Sequence, residues 1–95
     1  MTAYSSLIDA IGHTPLVEVS RFNHNPRVRM LVKLEGMNPT GSIKDRVARA
    51  LIEGLERDGR LSADSIILEP SSGNTGIAMA MITRLRGYPL TVVMP

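Results

Sequence analysis

Lys44 lies in the stretch NPTGSIKDR, residues 38–46, directly after a Gly-Ser pair and at the start of a segment that reads as a helix. A helix start already carries partial positive charge from its free amides, so a cation there is set against the backbone dipole. That dipole is worth about 0.3–1 kcal/mol to a nearby charge, less than the roughly 1.4 kcal/mol of one pKa unit. A helix start alone therefore does not free a lysine of its proton. Burial must do most of it, or the amine must be held to a carbonyl as an imine. Taken alone, such a lysine also fits a surface residue whose stem packs and whose ammonium reaches water.

The second stretch, PSSGNTG at residues 70–76, lies between an apolar run and a helical pattern, where open parallel sheets bind their ligands. Ser71, Ser72 and Thr75 offer hydroxyls, Gly73 and Gly76 permit tight turning, and the free amides of the helix start point outward. Together they form a receptor for a carboxylate or phosphate. In isolation the same residues also make a capped helix with a turn. The stretch has no G-x-G-x-x-G dinucleotide fingerprint and no Gly-Lys-Ser/Thr of a P-loop. An imine lysine beside an anion receptor fits pyridoxal phosphate: a substrate amine displaces the lysine, which becomes a base next to the substrate's α carbon. Gly41 and Ser42 let the backbone approach such a cofactor closely.

These residues need elements to hold them. Residues 5–10, SSLIDA, read as a short opening helix capped by Ser5 or Ser6. Pro15 forces an extended exit through His13-Thr14-Pro15-Leu16, and residues 21–27 read as a loop. MLVKLE at 30–35 is a strand. From Ile43 to about Arg57 the apolar positions Val47, Leu51, Gly54 and Leu55 define one helical face, with Gly59 as the stop. SIILEP at 65–70 is a buried strand, Asn74 to Arg86 a helix ended by Gly87 and Pro89, and LTVVMP at 90–95 a third strand. Strand, helix, strand, helix, strand implies an α/β fold with right-handed crossovers and a parallel sheet. IAMAMI at 77–82 is apolar on nearly every side and must be covered all round, which three short strands and two helices do not do. The chain is therefore expected to be the front part of a larger protein.

Composition narrows the classes further. Hydrophobic residues at 43% and charged residues at 21% describe a globular chain rather than a disordered one. The net charge is +2, but the basic residues are dispersed and only one Phe and two Tyr are present, which argues against a nucleic-acid surface. Without cysteine there is no disulfide, thiolate metal site or cysteine nucleophile, and no metal is expected. No apolar run is long enough to span a bilayer, and MTAYSSLIDAIGHTPL lacks a basic segment followed by a long apolar one, so a cytoplasmic, membrane-free protein is expected. No G-x-S-x-G elbow accompanies His13 or His24, which argues against a serine hydrolase.

NPTGSIKDR, EPSSGNTGIA and the upstream GHTPL, in this order and spacing, resemble the pyridoxal-phosphate enzymes of the cysteine synthase and cystathionine β-synthase family, most closely its B-type cysteine synthase branch. The resemblance implies fold type II, the tryptophan synthase β-like fold, incomplete in this chain. Residues 1–95 would then be the N-terminal portion of a two-domain enzyme. It implies that Lys44 binds the cofactor and serves as acid and base at the α carbon, and that Asn74 meets the ring hydroxyl oxygen. Ser71, Ser72, Gly73, Asn74 and Thr75 would bind the substrate carboxylate. The implied reaction is a β-replacement in which sulfide displaces acetate from O-acetylserine to give cysteine.

The implied partners are an amino-acid substrate and a sulfur donor, and the implied assembly is a homodimer. Alternatives within the same fold are cystathionine β-synthase, an O-phosphoserine sulfhydrylase, or a threonine or serine dehydratase, and the chemistry the resemblance implies is lyase-like in its elimination step. A reading of another class is a non-catalytic module that binds an anion or a partner. His13 stands where the family more often has Asn and reads as a turn residue tolerating either type. Asp45 and Arg46 read as structural residues of the first helical turn. The family's phosphate cup and pyridine-nitrogen contact lie beyond Pro95, so these residues alone are expected to bind the cofactor weakly and not to make cysteine.

Overall fold

The computed structural model describes residues 3–95; Met1 and Thr2, the first residues of the stretch read for a leader, lie outside it. Strand β1 (Leu16–Glu18) pairs antiparallel with β2 (Leu31–Lys33), helix α1 (Lys44–Arg57) follows, and strand β3 (Ile67–Pro70), helix α2 (Asn74–Arg86) and strand β4 (Leu90–Val93) close the chain. β3 and β4 run parallel, with Ile67 opposite Leu90 and Pro70 opposite Val93, and α2 is their crossover.

The predicted parallel order holds for β3 and β4 and fails for the strand at 30–35. That strand pairs with Leu16–Glu18, placing Val17 opposite Val32, in a separate two-stranded sheet. Element order suggested a βαβ unit, but a strand pairs wherever unsatisfied backbone reaches it first, and residues 19–30 return the chain beside β1. Among the described residues the β1–β2 ribbon packs against no other element, and Leu16, Val17, Leu31 and Val32 are all exposed.

The opening segment is a turn rather than a helix. The amides of Asp9, Ala10 and Ile11 donate to the carbonyls of Ser6, Leu7 and Ile8 at 3.1–3.2 Å, three residues back each time. Ser6 does act as a cap, its hydroxyl accepting the Ile8 amide at 3.1 Å. The tight pitch aims Ile8 and Ile11 together into the core.

α1 and α2 start and stop as the pattern predicts. Gly87 takes the left-handed conformation, φ 82°, and its amide donates to the Thr83 carbonyl, while Gly59 does the same service after α1 at φ 68°. The face of α1 differs. Val47 and Leu51 are 41% and 47% exposed, whereas Ala48, Ile52 and Asp45 are fully buried. Val47/Leu51 and Ala48/Ile52 are both apolar stripes, one residue or about 100° apart, and α2 packs on the second. Ala48 and Ile52 meet Ala78, Met79, Ile82 and Ile67 in the core. The 77–82 stretch of α2 is apolar on nearly every side as expected, with Met79 and Ile82 buried and Ile77 on the surface.

Three contacts fix the direction of the helix pair. Arg86 reaches Glu53 at 3.4 Å and Glu56 at 3.9 Å, and the Tyr88 hydroxyl donates to Glu56 at 2.9 Å. The C-terminal ends of α1 and α2 thus lie together, so the helices run side by side in one direction. Their N-termini, bearing Lys44 and Asn74, lie at the same end of the pair.

Candidate functional site

The loop that delivers Lys44 is held residue by residue. Gly41 turns it in the left-handed region at φ 92°, and its amide donates to the Asn38 carbonyl at 2.8 Å. The Ser42 hydroxyl accepts the Lys44 amide at 3.1 Å, satisfying one of the free donors at the start of α1. Buried Asp45 accepts the Thr40 amide at 2.8 Å and also the Thr40 hydroxyl. A carboxylate in the first turn suits the helix dipole, and burial removes its freedom to wander. Asp45 and Arg46 therefore act structurally here, as their position predicts.

Arg46 joins the loop to two further segments. Its Nε and Nη2 donate to the two Glu35 oxygens at 2.8 and 3.0 Å, and Nη2 also reaches the Thr14 hydroxyl at 3.1 Å. Thr14 donates to Glu35 at 2.7 Å, and Asn38 donates to the same carboxylate at 2.8 Å. Asn38 Oδ1 accepts the Gly12 amide at 2.8 Å. Gly12 sits at φ 83°, and a Cβ there would lie 3.1 Å from Arg46 Nη1. His13 follows at φ 52°, a left-handed conformation that Asn and His tolerate better than most residues. GHTPL and NPTGSIKDR are thus one structural unit, joined through Glu35, which the sequence reading did not single out.

The Arg46 guanidinium, with Thr14 and Asn38, pulls the Glu35 carboxyl from its usual 4.5 to about 2. A depressed carboxylate contributes its full stabilisation above pH 4.5 and loses it as pH falls through about 2. Denaturant midpoints measured from pH 6 to 2 should therefore fall more steeply for the natural protein than for Glu35→Gln. Parallel slopes would show that the carboxylate is not held by these partners.

The chain contains two lysines. Lys33 donates to the Thr14 carbonyl at 2.7 Å, whereas the half-buried Lys44 ammonium has no hydrogen-bond or ion-pair partner among the described residues. Of the two lysines, Lys44 is the one left available.

At the start of α2 the Ser71 hydroxyl accepts the Gly76 amide at 2.9 Å and the Gly73 amide at 3.2 Å. The Ile77 amide goes to the Gly73 carbonyl. The Asn74 and Thr75 amides make no hydrogen bond among the described residues, so two donors stay open at the positive end of the helix. Ser72, Gly73 and Asn74 are exposed and Thr75 half-buried. Gly76 lets the helix approach the loop and β4: a Cβ there would meet Ser71 Oγ and Val92 Cγ1 at 3.3 Å. Ser71→Ala should cost about 0.5–2 kcal/mol, the range for a lost cap. Ser72→Ala should leave stability within about 0.5 kcal/mol. Equal effects in chemical denaturation would contradict the capping role of Ser71.

Ser71, Ser72 and Gly73 line an open cavity of about 330 Å³ together with the apolar Ile77, Val92 and Met94. The apolar members were not foreseen as site residues. Their only sequence signal was alternation in β4 and the all-round apolarity of α2. Lys44 does not line this cavity; it stands at the same end of the helix pair, on α1.

With this geometry described, comparison with known proteins identifies its relatives. A family model described as pyridoxal-phosphate dependent enzyme matches residues 7–95. The chain is 46% identical over 93 residues to a cysteine synthase of Flavobacterium sp., covering 97% of this chain and 30% of that protein. It is 44% identical over 91 residues to cysteine synthase B of Escherichia coli, covering 96% of this chain and again 30% of the relative. The crystal structure of a cysteine synthase from Entamoeba histolytica superposes with a TM-score of 0.90 at 41% identity, over 99% of this chain and 29% of that one. The chain thus spans about a third of the length of these relatives and shares their mixed α/β fold with a parallel sheet. A match running through nearly every residue, over both the Lys44 loop and the Ser71–Thr75 loop, shows that the chain belongs to the family of pyridoxal-phosphate dependent enzymes.

Proposed function

We propose that the protein bearing these residues makes cysteine by β-replacement, with sulfide taking the place of the acetate of O-acetylserine, and that residues 1–95 are the N-terminal portion of a two-domain enzyme. The observation carrying this reading is the placement of an unpaired lysine and an open helix N-terminus at one end of a parallel helix pair, in a chain 44–46% identical to cysteine synthases. The residues present fit the cofactor: a half-buried primary amine without a carboxylate partner is available for condensation with an aldehyde.

Bound pyridoxal phosphate supplies the electron sink that makes the substrate's α proton removable. Lys44 would hold the cofactor and, as a free amine beside the substrate, would take and return the proton at the α carbon. The Asn74 side chain would hydrogen-bond the ring hydroxyl oxygen. The substrate carboxylate is received by the open Asn74 and Thr75 amides with the hydroxyls of Ser72 and Thr75. Gly73 admits the close approach, and Ser71 contributes by keeping the loop in shape through its two amide contacts.

The test is absorption spectroscopy of the full-length protein with pyridoxal phosphate, then borohydride reduction, peptide mapping, and assay of cysteine formation from O-acetylserine and sulfide. Label on Lys44 with cysteine formed supports the reading. Label elsewhere, or cofactor bound without label, overturns it. A homodimer is also proposed, on the family resemblance, and a cytoplasmic location, on the sequence reading; sedimentation of the full-length protein tests the assembly, and fractionation tests the compartment.

A further inference from the structure

We propose that Glu35 is a positioning residue for Lys44, acting through Arg46 to set where the root of the lysine stands relative to the bound cofactor. The proposal rests on the reading of Lys44 as the cofactor lysine.

Lys44 has a long, flexible side chain and no partner for its ammonium. Its reach is therefore defined by how firmly its backbone is placed. Two residues later, Arg46 makes a two-pronged contact with Glu35 at 2.8 and 3.0 Å, and each Glu35 oxygen accepts a second donor, from Thr14 at 2.7 Å or Asn38 at 2.8 Å. An exposed ion pair contributes little. This one differs because a single carboxylate gathers donors from three segments, and both neutral donors, Thr14 and Asn38, belong to buried residues. Asn38 extends the connection to the Gly12 amide, and the Gly12 backbone lies close against the guanidinium.

The first turn of α1 is thus tied forward to the 12–14 loop and back to the 35–38 turn, while Asp45 ties it to Thr40. Removing Glu35 frees the Arg46 side of this attachment and leaves the Asp45 side intact. The expected consequence is a displaced or mobile lysine root in a protein that still folds. A misplacement of about 1 Å is enough to cost roughly 10²-fold in a reaction that depends on approach geometry.

The experiment mixes the cofactor-free full-length protein with pyridoxal phosphate in the cold, well below its melting temperature. Borohydride is added at intervals, and label on Lys44 is quantified by peptide mapping. Circular dichroism and thermal melting are recorded in parallel. In Glu35→Gln, labelling of Lys44 should slow about tenfold or more with the far-ultraviolet spectrum retained. Arg46→Lys, which keeps the charge and loses the fork, should fall between the two.

A purely structural role would lower the melting temperature but leave labelling in the cold unchanged. Labelling of folded Glu35→Gln at the natural rate therefore overturns the proposal while leaving Lys44 as the cofactor lysine. No label on Lys44 in the natural protein overturns the reading of Lys44 and this inference with it. If Glu35→Gln does not fold, Thr14→Val removes one hydroxyl of the cluster and should slow labelling about two- to fivefold. The natural rate in that variant also overturns the proposal.

Discussion

Lys44→Ala in the full-length protein should abolish the borohydride-stable label and lower cysteine formation by at least about 10²–10⁴-fold, the range for losing proton transfer alone. The loss of the cofactor's attachment adds to that. Compared without cofactor, the two proteins should differ in stability by no more than about 0.5 kcal/mol, because the side chain is half-buried and its ammonium has no partner to leave unsatisfied. The combination discriminates: a large loss of turnover with an unchanged unfolding curve assigns chemistry to the side chain. Cysteine formation within tenfold of the natural protein would remove Lys44 from the mechanism.

The largest stability effect is expected from Ile52→Ala. Ile52 has 0% of its surface exposed and lies with Ile82 and Met79 where α1 packs on α2. Truncating a fully buried isoleucine costs about 2–5 kcal/mol, combining lost transfer energy with the cavity left behind. Against a total of about 5–15 kcal/mol for a typical domain, that loss is large. It also bears on the site, because the same contact keeps the N-termini of α1 and α2 at one end.

Leu51→Ala, one residue earlier and on a side chain 47% exposed, should cost less than half as much in the same denaturant titration. If the two variants lose equal stability, the Val47–Leu51 stripe is also buried in the full-length protein. The stripe read from the sequence would then be a second packing face.

Much of the local structure was legible because its causes are local. α2 runs from Asn74 to Arg86 as predicted, since a glycine able to turn left-handed ends it and a Ser-Ser-Gly turn begins it. The start of α1 at Lys44 follows from the Gly-Ser turn before it. Parallel pairing of the two later strands follows from a helix-length connection between short apolar runs. His13 could be read as a turn residue because a positive φ favours a few side-chain types wherever it occurs.

Other features depend on contacts between segments far apart in the chain. Periodicity marks α1 as amphipathic but leaves two apolar stripes, and only the arrival of α2 chooses Ala48 and Ile52 over Val47 and Leu51. β2 pairs with β1 because tertiary geometry, and not element order, decides which backbone reaches its edge. The role of Glu35 is invisible in sequence because its partners, Thr14 and Arg46, are 21 and 11 residues away. Residue types and spacing sufficed to single out Lys44 and the Ser71–Thr75 loop as candidates. Bringing both to one end of a helix pair, and fastening the first of them through a shared carboxylate, required packing between distant segments that no local pattern encodes.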